Sequence, residues 1–169
     1  MNLRKYVEMA LKENVQLDDT DWRILEELQS DARISFSELG RRVNLSSPAV
    51  AERVRRMENA GIISGYQTRI GFAQLGLNIV AFLTLKSHPG QSAPAGQAIK
   101  ERPEVLECHA VTGVNCYIMK IAVESVQHLE KVVVYLSRFG EVTTSVVLSS
   151  LVDDWSITSP TNTKRLNFE

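Results

Sequence analysis

"SSPAVAERVRRMENAG", residues 46–61, decides how the first part of this chain is read. Two hydroxyl residues and a proline open it and Gly61 closes it, the start and stop signals of a helix. Serine hydroxyls accept from the free amides of a first turn, and a proline there loses no hydrogen bond. A glycine past the last turn takes the left-handed conformation that ends a helix. At about 3.6 residues per turn, Val50, Val54, Met57 and Gly61 fall on one face as a thin apolar stripe. Ala49, Glu52, Arg53, Arg56 and Asn59 point away from it, with Arg55 on one flank. The outward start is built from small groups, Ser46, Ser47, Pro48 and Ala49, with cations farther along. A helix that enters a DNA groove has this build: small residues let its N-terminus approach base edges, and arginines reach phosphates.

The preceding residues extend the pattern. In "SFSELGRRV", residues 35–43, Ser35-x-x-Glu38 fits a capping box, and Arg41 and Arg42 close the helix beside the basic patch. Asn44, in the interruption "VNLSS", suits a left-handed turn. Upstream, "LDDTDWRILEELQ" places aspartates before and in a first turn, where free amides favour negative charge. Trp22, Leu25 and Leu28 or Gln29 then mark one side, with Ile24 beside them. Three short helices with a tight turn before the last predict a helix-turn-helix over 17–62. From Arg41 to Arg69, six arginines stand against Glu52 and Glu58, a local excess of four positive charges. The whole chain has a formal charge of -1, so binding to nucleic acid rests on that local patch.

After Gly61 the period changes. "IISGYQTRIGF" reads as an extended linker or strand, assigned to a linker strand over 63–76. "LNIVAFLTLK", "VLECHAVT", "CYIMKIAV" and "EVTTSVVLSSLV" read as strands. "SAPAGQAIKERP" and "SVQHLEKVVVYLSRFG" read as helices, the first stopping before Pro103. The order βαββαβ predicts a ferredoxin-like domain over 77–152 and an α+β chain overall. In the central hairpin, Leu106, Cys108 and Ala110 alternate against Tyr117, Met119 and Ile121. A two-residue turn at Gly113-Val114 then pairs Cys108 with Met119, Ala110 with Tyr117 and Glu107 with Lys120. The same count puts Cys116 opposite Val111, on the His109 face and away from Cys108. Residues 1–16 form an N-terminal extension in which Leu3, Val7, Ala10 or Leu11, and Asn14 have helical spacing. Residues 153–169 read as a polar, loosely held tail.

Composition bounds the chemistry. The 169 residues are 44% hydrophobic and 23% charged, ordinary for a globular chain with a proper core. Two cysteines outside any CxxC pair do not make a disulfide framework and suit reduced thiols. No apolar run approaches a membrane span, and Glu8, Lys12 and Glu13 break up any signal-peptide core, so a cytoplasmic protein is expected. Gly-rich phosphate loops, G-x-S-x-G elbows and HExxH motifs are missing, so no enzyme and no cofactor are expected. Cys108, His109 and Cys116 lack the short paired spacings of a zinc site, and no metal is expected.

Residues 17–66, "LDDTDWRILEELQSDARISFSELGRRVNLSSPAVAERVRRMENAGIISGY", closely resemble the DNA-binding domain of the Lrp/AsnC, or feast/famine, transcriptional regulators. The specific signals are the "L-D-x-x-D-x-x-I-L-x-x-L-Q-x-D-x-R" start and the "E-R-V-R-R-x-E-x-x-G-I-I-x-G-Y" end, and the βαββαβ half with "ECHAVTG" also fits. The resemblance covers about Leu17 to Val152. It implies a winged or plain helix-turn-helix joined by a strand to a ligand-sensing ferredoxin-like domain. It also implies double-stranded DNA as partner and dimers that assemble to octamers or larger discs. Amino acids or related metabolites would be the effectors, bound between dimers. The DNA-contacting set is then Arg41, Arg42, Ser46, Ser47, Pro48, Ala49, Glu52, Arg53, Arg55 and Arg56.

The family's effector loop reads Gly-x-x-Asp followed by Tyr or Phe. Here it is Gly113-Val114-Asn115-Cys116-Tyr117, so Cys116 replaces the Asp. A carboxylate can pair with an amino acid's ammonium, and a neutral thiol does not. Gly113, Asn115, Cys116 and Tyr117 are the implied effector residues, with Thr144 on the last strand as a further candidate. The alternative is an architectural protein of the same fold that wraps DNA without a metabolite. A third reading is an enzyme or metal-binding module on the ferredoxin-like half.

Overall fold

The computed structural model describes residues 16–152 and 156–159. The extension predicted over 1–16 lies almost wholly outside them, as does most of the predicted tail. Two compact units divide the described chain. One comprises 16–68 together with 156–159, the other 69–152.

Helices α1 (Asp19–Ser30), α2 (Phe36–Val43) and α3 (Ser47–Asn59) build the first unit. Ile24, Leu28, Leu39, Val43, Val50, Val54 and Met57 form its core. Burying each such side chain contributes about 1.5–3 kcal/mol. Val50, Val54 and Met57 of the α3 stripe are buried as their spacing predicts, while Gly61, past the helix end, is exposed. On α1 the buried set is Asp21, Ile24 and Leu28, with Trp22 and Leu25 only half-buried. The expected side is thus turned by a position, because Asp21 finds ionic partners inside that offset its burial.

Asn44 has φ 59°, and Gly61 has φ 74° where the chain leaves α3. A Cβ on Gly40 would stand 2.5 Å from the Leu45 carbonyl oxygen, so the tight α2–α3 turn needs glycine there. The expected box at Ser35–Glu38 is only half made. Ser35 Oγ accepts from the Glu38 amide, while the Glu38 carboxylate turns to Arg41 and Arg42. The complete box lies at α1, where Asp18 and Asp21 cap each other's amides. No wing strand is present among the described residues of this unit. Residues 64–71 run as a linker without strand pairing inside the described chain, where the sequence suggests an extended linker or strand.

The second unit holds β1 (Ile79–Ser87), α4 (Ser92–Lys100), β2 (Val105–Ala110), β3 (Tyr117–Val123), α5 (Val126–Leu136) and β4 (Gly140–Val146). The antiparallel sheet has the order β2-β3-β1-β4, the expected ferredoxin-like arrangement. Its helix-side face packs Ala81, Leu83, Leu85, Met119, Ile121 and Val123 against Ala95, Ile99, Leu129, Val132 and Leu136. Cys108 pairs with Met119, Ala110 with Tyr117 and Glu107 with Lys120, the register read from the sequence. Leu106 departs from the expected alternation. The register shifts between Val105 and Glu107, a bulge that leaves Leu106 out of step.

Candidate DNA-binding face and effector loop

The first turn of α3 is open. Ser46 caps it through a 3.4 Å bond to the Ala49 amide, and Pro48 lies in that first turn. Ser46, Ser47 and Pro48 are exposed, Ala49 is half-buried and Glu52 is exposed. These residues therefore share one corner, as the helical spacing requires.

Every arginine of the predicted set has a carboxylate partner within the unit. Arg41 bonds Glu38, and Arg42 bonds both Glu38 and Glu27. The two guanidiniums hold the Glu38 carboxyl at about 2, below the ordinary 4.5, and their own pKa values are raised in return. Arg55 meets Glu52 at 3.2 Å. Arg53 bridges Asp18 at 2.7 Å and Asp21 at 2.8 Å, and Arg56 reaches the other oxygen of Asp21. The Arg53 hydrogen bond, ahead of the Asp21 amide, lowers the Asp18 pKa.

These pairs sort the arginines. Arg41 and Arg55 are 76% and 67% exposed and can swing to a phosphate at little cost. Arg53 is 29% exposed and pinned between two aspartates. The positive excess counted between 41 and 69 is offset in the folded unit. Between 16 and 62, seven arginines meet nine carboxylates, because α1 brings its acids against α3.

Sequence reasoning missed Asp18 and Asp21 as neighbours of α3. Their spacing signals a cap, but nothing along the chain signals the ion pairs. It also missed Tyr66, whose hydroxyl donates to Glu58 at 3.0 Å and ties the linker to the end of α3. Burial, then that bond to Glu58, pushes the Tyr66 hydroxyl up to about 12.

In the other unit, Gly113 turns at φ 111°, and the Val111 amide donates to the Cys116 carbonyl. Tyr117 lies on the helix side of the sheet, and its hydroxyl donates to the Ser92 carbonyl at 2.8 Å over Gly96. The bond from Val111 gives Cys116 the partner that the register predicts, and its thiol lies near Ser87 and Ser92. The regular strand starts only at Tyr117, so alternation does not reach Cys116. The neighbouring backbone and side chain of Ser87, then the Ser92 side chain, lower its pKa, although the Ser87 hydroxyl makes no close hydrogen bond. Partial desolvation raises the pKa of Cys108, which is nonetheless exposed on β2.

Thr144 stands opposite Leu83, while Tyr117 stands opposite Leu85. Two strand spacings and two residues of rise separate them, about 12 Å. The loop residues Gly113 to Tyr117 are brought together, and Thr144 is not joined to them within one chain. Among the described residues no group of three His, Cys, Asp or Glu side chains is placed to hold a metal ion. No described helix is long and apolar enough to cross a membrane.

Two family models match stretches of the chain. The family model for the AsnC-type helix-turn-helix domain matches residues 17–58. That for the Lrp/AsnC ligand binding domain matches 80–157. The HTH-type transcriptional regulator YezC of Bacillus subtilis is 40% identical over 134 residues, 79% of this chain and 95% of its own. The solved structure of LrpC from Bacillus subtilis has a TM-score of 0.78 at 32% identity, covering 82% of this chain and 99% of its own. The feast or famine regulatory protein of Mycobacterium tuberculosis, complexed with L-methionine, has a TM-score of 0.78 at 30% identity, covering 85% and 100%.

Proposed function

The chain belongs to the Lrp/AsnC family of transcriptional regulators, and on that premise we propose that α3 reads double-stranded DNA while the 113–117 loop senses a small metabolite. It is a regulator and not an enzyme. The observation that carries the DNA reading is the open first turn of α3, flanked by the exposed guanidiniums of Arg41 and Arg55. Ser46, Ser47, Pro48, Ala49 and Glu52 face the base edges. Arg41, Arg42 and Arg55 reach the phosphates, while Arg53 and Arg56, beside them, stay paired with Asp18 and Asp21. A cytoplasmic protein that meets the chromosome directly follows from this reading.

The effector is a metabolite related to amino acids, as the methionine complex of the mycobacterial relative suggests. Gly113, Asn115, Cys116 and Tyr117 line its site. Thr144 joins it only if a second protomer supplies it. The outer sheet face exposes Phe82 and Ile118, 45% and 37% accessible, and an apolar face of this kind suits a dimer interface that builds toward an octamer.

The test is DNA binding by the full chain against duplexes selected from a random pool. Arg41→Ala and Arg55→Ala should each shallow the salt slope by about one ion. Unchanged slopes in both variants would remove this face from the interface.

A further inference from the structure

Asp21 is the charged side chain that is fully buried among the described residues. A buried carboxylate persists only where cations and donors compensate its lost hydration. Asp21 has three such groups: the Asp18 amide at 3.1 Å, Arg53 at 2.8 Å, and Arg56. It also sits in the first turn of α1, where free amides favour an anion. Both cations come from α3, 32 and 35 residues away. One carboxylate thus joins the start of α1 to the middle of the helix assigned to DNA.

Two consequences follow. Arg53 and Arg56 grip opposite oxygens of a fixed group, which sets the roll of α3 about its own axis. Both guanidiniums are also paired with carboxylates of the protein, although Arg56 is 46% exposed. Binding without sequence preference scales with the number of cations that reach phosphates, whereas discrimination depends on the placement of the first turn against base edges.

We propose that Asp21 is a positioning and specificity-determining residue. It holds Arg53 and Arg56 away from the phosphates, orients the recognition helix and keeps non-selective DNA binding weak. The inference rests on the DNA-binding reading above and assigns these two arginines an internal role within it.

The experiment uses the full chain and two duplexes of equal length, one enriched from a random pool by the wild type and its shuffled counterpart. Affinity is measured across a salt series. Asp21→Asn keeps the shape of the side chain and frees Arg56. It should bind the shuffled duplex about five- to tenfold more tightly near 0.1 M salt, with a slope steeper by about one ion. Its preference for the enriched duplex should fall. Arg56→Gln should leave the slope unchanged while discrimination drops. A merely structural role for Asp21 would weaken binding to both duplexes together, and that result overturns the proposal. So does an Arg56→Gln slope shallower by about one ion.

If Asp21→Asn fails to fold, Asp18→Asn takes its place. It removes one of the two carboxylates on Arg53 and leaves the buried one intact. The same signs are expected with smaller size, and equal loss on both duplexes again overturns the proposal. A wild type that holds neither duplex overturns the DNA-binding reading itself, a result seen before any variant is made.

Discussion

The side-chain amide of Gln29 pairs with the backbone of Ile157, accepting from its N–H at 2.7 Å and donating to its carbonyl at 2.9 Å. The two residues are 128 apart in sequence. Ser159, two residues on, is buried. The segment that the sequence marks as a loose polar tail is therefore fastened, over 156–159, to the end of α1. The chain leaves the helix-turn-helix unit through the linker and returns to it after the sensing unit. Replacing Gln29 by Ala should raise hydrogen exchange at the Ile157 amide and cost on the order of 1 kcal/mol of stability. Unchanged protection at Ile157 would show that the bracket does not hold the segment.

The Glu38 carboxyl gives a pH prediction. Its folded pKa is about 2 against an ordinary 4.5, lowered by Arg41 and then Arg42. A depressed folded pKa stabilises the fold above the unfolded value and loses that stabilisation as pH falls through the folded one. Melting temperature should therefore drop between about pH 4.5 and pH 2, and less so at high salt because the group is exposed. In Glu38→Gln the drop should be smaller in the same window, and an identical profile would contradict this assignment.

Assembly should depend on the outer sheet face. Phe82 stands opposite Lys120 and Ser145 on that face, with Ile118 opposite Thr84 and His109 nearby. Phe82→Glu should convert the oligomer to monomer in light scattering at micromolar concentration, because a charge there loses water on association. A wild type that is monomeric, or a variant that stays assembled, would contradict the interface.

The two thiols should separate chemically. Cys116 has a lowered pKa from Ser87 and Ser92, and Cys108 a raised one from partial desolvation. The thiolate is the reactive form, so iodoacetamide near neutral pH should modify Cys116 first. A bound effector at the 113–117 loop should slow that reaction, and Cys116→Asp should shift ligand preference toward free amino acids. Faster labelling of Cys108, or an unchanged preference in Cys116→Asp, would count against the loop as the sensing site.

What was legible in the sequence was periodic or local. The α3 stripe of Val50, Val54 and Met57, the left-handed Asn44 and the hairpin register of Cys108 with Met119 all rest on spacing within one element or one hairpin. The missed features are contacts between distant residues. Asp21 is an ordinary first-turn acid until α3 folds against it and supplies two guanidiniums. Gln29 is an ordinary surface amide until a segment from the far end of the chain lies across it. The basic patch is weaker in the fold than its count along the sequence for the same reason, since charge counted along one stretch ignores the acids that another stretch brings alongside.

The central claim is that α3 places this regulator at chosen DNA sequences. The most direct measurement is sequencing of DNA recovered after crosslinking in cells, from the wild type and from a chain carrying Arg41→Ala and Arg55→Ala. The account predicts discrete promoter segments in the wild type, with paired half-sites about 34 Å apart or at multiples of it, and their loss in the double variant. Even coverage of the chromosome would mark an architectural protein, and unchanged peaks in the double variant would contradict α3 and its flanking arginines as the reading surface.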